Sequence, residues 1–282
     1  MIESGIVTAG ALSLRRGYAI FGFDNGEILV KATRKEVRAP DPTKYFNGPV
    51  RAIAFSTDGR RLALGGESGL SYCLSTESDQ KWTGQQHNGN DGPVTAIDVS
   101  NSGTMIAGHQ NSCVTLWNGV IGETISVIRR DRTPRTVTIT QDGRVAAIGD
   151  EEGLYIRDTV SGDERRYVRG NIAVARFSPD GRTLAVASIE NIVKIFDSSN
   201  ALDANALPVL WRSRVRGSVS NLAVTNDCCL GICRNDGIFQ LWSPYTNELT
   251  TITPTNKAGA HAQKVWATDF DGDGNILPLF TT

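Results

Sequence analysis

One phrase recurs along this chain about every 40 residues: an apolar strand, a turn closing on Asp-Gly, then a second apolar strand. It is clearest as Val50-Arg51-Ala52-Ile53-Ala54-Phe55-Ser56-Thr57-Asp58-Gly59 and as Ile172-Ala173-Val174-Ala175-Arg176-Phe177-Ser178-Pro179-Asp180-Gly181. Weaker copies put the turn glycine at Gly103, Gly143 and Gly274; Gly17 takes that place in the first copy, and Cys228 takes it once, after Asn226-Asp227. The steps between the seven positions are 42, 44, 40, 38, 47 and 46 residues. A period in this range marks a repeat architecture. Repeat units share one continuous core, so the 282 residues read as a single domain over 1–282.

The unit around Asp180-Gly181 shows the local physics. Residues 172–178 alternate and end at Pro179-Asp180-Gly181. Asp bonds locally and tolerates the left-handed region, and Gly enters it freely, so the dipeptide suits a hairpin. Leu184-Ala185-Val186-Ala187-Ser188 is apolar throughout, as for a strand buried on both faces. Ile192-Val193-Lys194-Ile195-Phe196-Asp197 follows as a third strand, with an outer strand near Val209-Leu210-Trp211. The third-strand ending returns as Val114-Thr115-Leu116-Trp117-Asn118, Leu154-Tyr155-Ile156-Arg157-Asp158 and Phe239-Gln240-Leu241-Trp242-Ser243.

Four short antiparallel strands, an aromatic-then-polar ending and this period resemble the WD40 repeat family over nearly the whole chain. The Trp-Asp dipeptide survives as Trp117-Asn118, Phe196-Asp197, Arg157-Asp158 and Trp242-Ser243, while His87 and His261 lack the glycine that precedes the family histidine. The resemblance implies an all-β, seven-bladed WD40-like β-propeller with an incomplete last blade. The expected blades are 7–39, 50–85, 94–130, 135–169, 172–216, 219–252 and a partial 265–282. The closing strands are expected either to be missing or to lie beyond Thr282. Segments 38–49, 76–92, 198–208 and 253–263 read as polar loops between strands.

Composition narrows the function classes. Net charge is −1, which gives no global field for nucleic acid or an acidic membrane. The start, Met1-Ile2-Glu3-Ser4-Gly5, has no secretory pattern, and no run approaches the ~18 apolar residues of a spanning helix. Cys73, Cys113, Cys228, Cys229 and Cys233 fall in strand-like runs without a disulfide framework. They read as small buried hydrophobes in a reducing, intracellular and most naturally cytoplasmic compartment.

No catalytic constellation emerges. His87, His109 and His261 form no zinc-hydrolase pair, and neither a nucleophile elbow nor a phosphate loop occurs. A hydrolase would need convergent acid and base groups in the channel, where Asp98 is one carboxylate that could point inward. Asp269, Asp271 and Asp273 fit the first half of a calcium loop, but the twelfth position is Phe280 in place of a bidentate Glu, so a plain turn is the expectation. Cys228, Cys229 and Cys233 do not share one strand face and make a poor zinc site. No cofactor is expected.

The remaining pattern is basic. Arg34, Lys35 and Arg38; Arg129, Arg130, Arg132 and Arg135; Arg165, Arg166 and Arg169; and Arg212, Arg214 and Arg216 gather where each outer strand runs into the next blade. They make up 13 of the 29 basic residues. They offer a binding arc for an acidic peptide, a phosphate-bearing ligand or a phosphoinositide. Charged side chains also protect outer strands from edge pairing, and Asp131, Asp163 and Glu164 sit close by. Aromatics for base stacking are sparse, which disfavours nucleic acid. The expectation is a non-catalytic protein–protein interaction scaffold, not an enzyme, working with protein partners in a complex. The alternatives are an anion- or phosphoinositide-binding propeller and, last, a propeller hydrolase.

Overall fold

A computed structural model of the chain describes residues 5–41, 43–77, 82–88, 92–252, 264–270 and 276–281. It is all-β. Blade 1 holds β1 (Val7–Ser13), β2 (Tyr18–Phe23), β3 (Glu27–Ala32) and β4 (Thr43–Lys44), and blade 2 holds β5 (Val50–Phe55), β6 (Arg61–Gly66), β7 (Leu70–Ser75) and β8 (Thr83–Asn88). Blade 3 is β9 (Val94–Val99), β10 (Thr104–His109), β11 (Cys113–Asn118) and β12 (Glu123–Arg129). Blade 4 is β13 (Thr136–Ile139), β14 (Val145–Gly149), β15 (Gly153–Asp158) and β16 (Glu164–Arg169). Blade 5 is β17 (Ile172–Phe177), β18 (Thr183–Ser188), β19 (Ile192–Asp197) and β20 (Val209–Arg214). Blade 6 is β21 (Val219–Val224), β22 (Leu230–Arg234), β23 (Phe239–Ser243) and β24 (Glu248–Ile252). A separate two-stranded sheet pairs β25 (Lys264–Phe270) with β26 (Ile276–Thr281).

The propeller therefore has six blades, which corrects the expected seven. The Asp-Gly phrase marks only the first two strands of a unit. Six of its seven copies are followed by a third and a fourth strand, whereas 265–282 supplies a hairpin alone. The first strands neighbour one another around a ring, β1 to β5 to β9 to β13 to β17 to β21, and β25 lies against both β21 and β1. Two segments read as loops also carry outer strands, β4 within 38–49 and β8 within 76–92. Both are polar and exposed, so they lack the apolar alternation that reveals inner strands.

Burial explains the ring. The second strands are apolar on both faces, and β2 and β22 are buried at every residue. Each main core cluster sits between two blades. One joins Ile20 and Val30 of blade 1 to Leu62 and Leu64 of blade 2, and another joins Val193 and Ile195 of blade 5 to Leu222 and Ile232 of blade 6. Outer-strand tryptophans seal the same seams: Trp82 meets Tyr18 edge-on at 5.2 Å, and Trp211 packs against Trp242 at 4.7 Å.

The recurring turn is a hydrogen-bonded device. The Ser178 hydroxyl donates to Asp180 Oδ1 (2.7 Å) while accepting the Thr183 N–H (3.0 Å), and the same carboxylate accepts the Arg182 N–H (3.1 Å). Ser56 with Asp58 and Thr140 with Asp142 repeat the arrangement at 2.6 Å each. The end of the third strand then clips to the turn: Thr76, Thr159 and Ser198 hydroxyls donate to the carbonyls of Gly59, Gly143 and Gly181 at 2.5, 2.7 and 2.8 Å. The residue closing the turn has positive φ, 70° at Gly59 and 74° at Gly181, and 67° at Cys228.

A side chain in that region costs about 1 kcal/mol that glycine avoids. Cys228→Gly is thus expected to raise the denaturation midpoint, by up to ~1 kcal/mol in unfolding free energy, less the weak Thr183–Cys228 contact at 3.5 Å. A chemical-denaturation curve that moves downward would show that this side chain contributes more than its backbone strain costs.

Candidate functional site

Antiparallel strands alternate the ends at which they connect. First-to-second and third-to-fourth connections therefore share one face, the turn face. Second-to-third turns and crossovers to the next blade share the opposite, crossover face. Three places on this frame carry chemistry: the outer rim, the central channel and the turn face.

At the rim, the arginines separate by partner. Arg130 is buried and braced inside the fold. Its guanidinium donates to Asp150 Oδ2 (3.2 Å) and Glu164 Oε1 (2.7 Å) and stacks over the Tyr155 ring at 4.0 Å. Burial opposes its charge, but Glu164 and Asp150 outweigh that and hold its pKa above the ordinary arginine value. Arg132 pairs with Glu151 and Glu152 at 3.0 and 3.1 Å, and Arg166 lies 3.9 Å from Glu152. Arg34 donates to the Leu14 carbonyl at 2.6 Å. Arg129, Arg165, Arg169, Arg212, Arg214 and Arg216 are exposed. Among the described residues none of these six has an acidic group within 4.0 Å; Arg214 feels the charge of Glu190. Arg135 stands apart from its sequence neighbours and lines the mouth of the channel.

The channel holds Asp98, as the sequence suggested. Its Oδ2 accepts from the Thr138 hydroxyl (2.8 Å) and the Ile139 N–H (3.0 Å), and its Oδ1 accepts the Val99 N–H (2.9 Å). Burial pushes its pKa up, against the opposing pull of Arg176 and these bonds. Arg176 donates to the Val137 carbonyl at 3.3 Å and lines both ends of the channel. Three donors hold the Asp98 carboxylate, two of them from blade 4, so it works as a strut between blades 3 and 4. Among the described residues its hydrogen bonds reach no second acid or base.

The mouth on the crossover face was not visible as a site in the sequence. In β1, β5, β9, β17 and β21 the pairing register slips at the second residue, at Thr8, Arg51, Thr95, Ala173 and Ser220. The slips are β-bulges, which re-aim a side chain. In blade 4 the equivalent residue is Arg135, whose N–H donates to the Gly149 carbonyl at 2.8 Å just before β13. All six line the mouth. The signal was there as a position, five residues before each turn hydroxyl, but it carries no common residue type.

The remaining candidates do not converge. Cys73, Cys113 and Cys233 are buried, while Cys228 and Cys229 lie half-buried in the turn before β22, not on the strand as expected. Burial pushes the Cys73 thiol up to about 11 and raises that of Cys233. His109 is buried between the Gly92 carbonyl (3.2 Å) and the Thr115 hydroxyl (3.0 Å). His87 lies on β8, stacked on Trp117 at 5.3 Å. Asp271, Asp273 and His261 lie outside the described residues, and Asp269 is known only as a backbone position on β25. Among the described residues no three His, Cys, Asp or Glu side chains group as metal ligands, and no helix is long and apolar enough to cross a membrane.

On the turn face, third-to-fourth turns are capped by the last polar residue of the third strand. Asn118 Oδ1 accepts the Val120 N–H (2.9 Å), Asp158 Oδ1 the Val160 N–H (2.8 Å) and Asp197 Oδ1 the Ser199 N–H (2.9 Å). The bonded backbone N–H groups hold the Asp158 and Asp197 carboxyls below their ordinary range. The polar half of the Trp-Asp ending is thus a turn cap. The residue it presents is large, hydrophobic and exposed in three blades: Val120 (43%), Val160 (83%) and Tyr245 (77%), whose hydroxyl donates to Asp227 Oδ2 at 3.2 Å.

A comparison with known families matches the WD domain, G-beta repeat, at residues 79–118 and at 164–197. Each match starts at an outer strand, β8 or β16, and ends at the third strand of the following blade, β11 or β19.

Two outcomes follow. Arg130→Ala leaves Asp150 and Glu164 without their cation and is expected to cost ~3 kcal/mol or more in urea unfolding, while Arg132→Ala at the exposed rim costs below ~1 kcal/mol. Asp98 binds its proton more tightly folded than unfolded, so its contribution to stability is full below the unfolded carboxyl pKa of ~3.9 and is lost as pH rises through its raised folded value. Asp98→Asn removes this dependence and adds a pH-independent offset for a lost bond. The stability difference should therefore move in favour of the variant as pH climbs from ~4; a difference that stays flat from pH 4 to 8 would contradict a raised Asp98.

Proposed function

As a WD40-repeat β-propeller, the chain is, we propose, a non-catalytic scaffold that holds protein partners on its turn face and outer rim. Propellers of this family are commonly interaction scaffolds. The reading is carried by the repeated exposure of Val120, Val160 and Tyr245 at one position, two residues beyond the end of the third strand in blades 3, 4 and 6. Single exposed apolar residues are ordinary; the same register position in three blades of a rigid ring makes a spaced set of anchors. Each is fixed by a capped turn, so a partner orders little chain on binding. The burial of Cys73 and Cys233 as unpaired thiols supports a reducing, intracellular setting.

A second reading is favoured by one observation. Arg165, Arg169, Arg212 and Arg216 are exposed on the rim of blades 4 and 5, with no ion pair among the described residues. They suit an acidic segment of a protein partner, or the phosphates of a phosphoinositide surface.

Val160→Asp with Tyr245→Asp is expected to abolish retention of co-purifying proteins while the melting temperature stays within ~2 °C of the parent, since both side chains are exposed. Arg165→Glu with Arg212→Glu should instead weaken capture in a salt-dependent way. Unchanged capture by both double variants would overturn the scaffold reading of these surfaces.

A further inference from the structure

We propose that the crossover-face mouth of the central channel is a binding site for a small, multiply charged phosphate compound. The six bulge-position residues that ring it include two arginines, Arg51 and Arg135, and the hydroxyls of Thr8, Thr95 and Ser220. Arg176 enters from below as a third guanidinium, held by the Val137 carbonyl. Among the described residues no acidic side chain lines this mouth. Its volume is about 330 Å³, within the range of small-molecule sites.

The chemistry of the ring is that of an oxyanion host. Guanidinium forks match phosphate oxygens in pairs, an uncommitted hydroxyl adds one bond, and cations gathered at a narrow opening focus their field on the axis. The Thr8 and Thr95 hydroxyl protons are already given to the Val50 and Pro134 carbonyls, both at 2.6 Å, so these two side chains shape the ring and leave the donating to the guanidinium groups and Ser220. The Ser220 hydroxyl is buried with no hydrogen-bond partner among the described residues. Arg135 is exposed and has no ion pair among them, whereas Arg51 is held by Glu67.

Size follows from what surrounds the mouth. The second-to-third turns form an outer collar bearing Glu67, Glu151, Glu152, Glu190 and Asp236. A long polyanion or a membrane would meet those carboxylates as well as the exposed Arg169 and Arg216 of the crossovers. A compact phosphate compound fits inside the collar and meets only the bulge ring.

The test is calorimetric titration of the full chain with pyrophosphate at low ionic strength. The expected result is saturable one-site binding that weakens at least tenfold in Arg135→Gln and further in Arg135→Glu. The rim variant Arg165→Glu/Arg212→Glu should bind within twofold of the parent, and melting curves confirm that each variant is folded. Vesicles containing phosphatidylinositol phosphates should bind no more tightly than the soluble headgroup. Absence of pyrophosphate binding by the parent, indifference to Arg135, or an equal loss in the rim variant would each overturn the proposal. The protein-capture result for the turn face stands or falls separately.

Discussion

A sheet with apolar residues on both faces cannot stop at one layer, and this constraint governs the whole molecule. The second strand of each blade, such as Leu62-Ala63-Leu64 or Leu184-Ala185-Val186-Ala187, is buried on both sides. Each blade therefore needs a neighbour on either side, and a curved row of neighbours has no exposed end only when it closes. The core is consequently a set of seams between blades, not a single interior. Arg130 shows the polar counterpart of the same demand. It reaches from the crossover after blade 3 into blade 4 and has its charge met there by Asp150 and Glu164, at a site largely closed to solvent.

Much of this was legible. The Asp-Gly phrase located the inner hairpins because its chemistry is local: a hydroxyl, a carboxylate and a left-handed residue within four positions make the turn without help from the rest of the chain. The blade number was misread for the same reason, since the phrase counts hairpins and says nothing about third and fourth strands. Outer strands β4 and β8 were hidden because an exposed strand has no apolar period to show.

The sites were less legible, because they depend on what lies across the ring. Thirteen basic residues looked like one arc, yet Arg130 is a structural brace, Arg132 is paired with its acidic neighbours, and Arg135 belongs to the channel. Sequence neighbours here point to different compartments of the fold. The mouth residues are the reverse case: Thr8, Arg51, Thr95 and Arg135 are some 40 residues apart, and only the recurrent bulge brings them round one axis.

The offset between sequence repeat and blade has a consequence for how the molecule comes apart. Both matched repeats begin on the outer strand of one blade and finish on the third strand of the next. A repeat that loosens thus strips the edge from one sheet and the centre from another. Damage cannot be confined to a unit, as it can in an open stack of repeats. The ring should behave mechanically like a hoop with overlapping staves, giving way as a whole once any one joint opens.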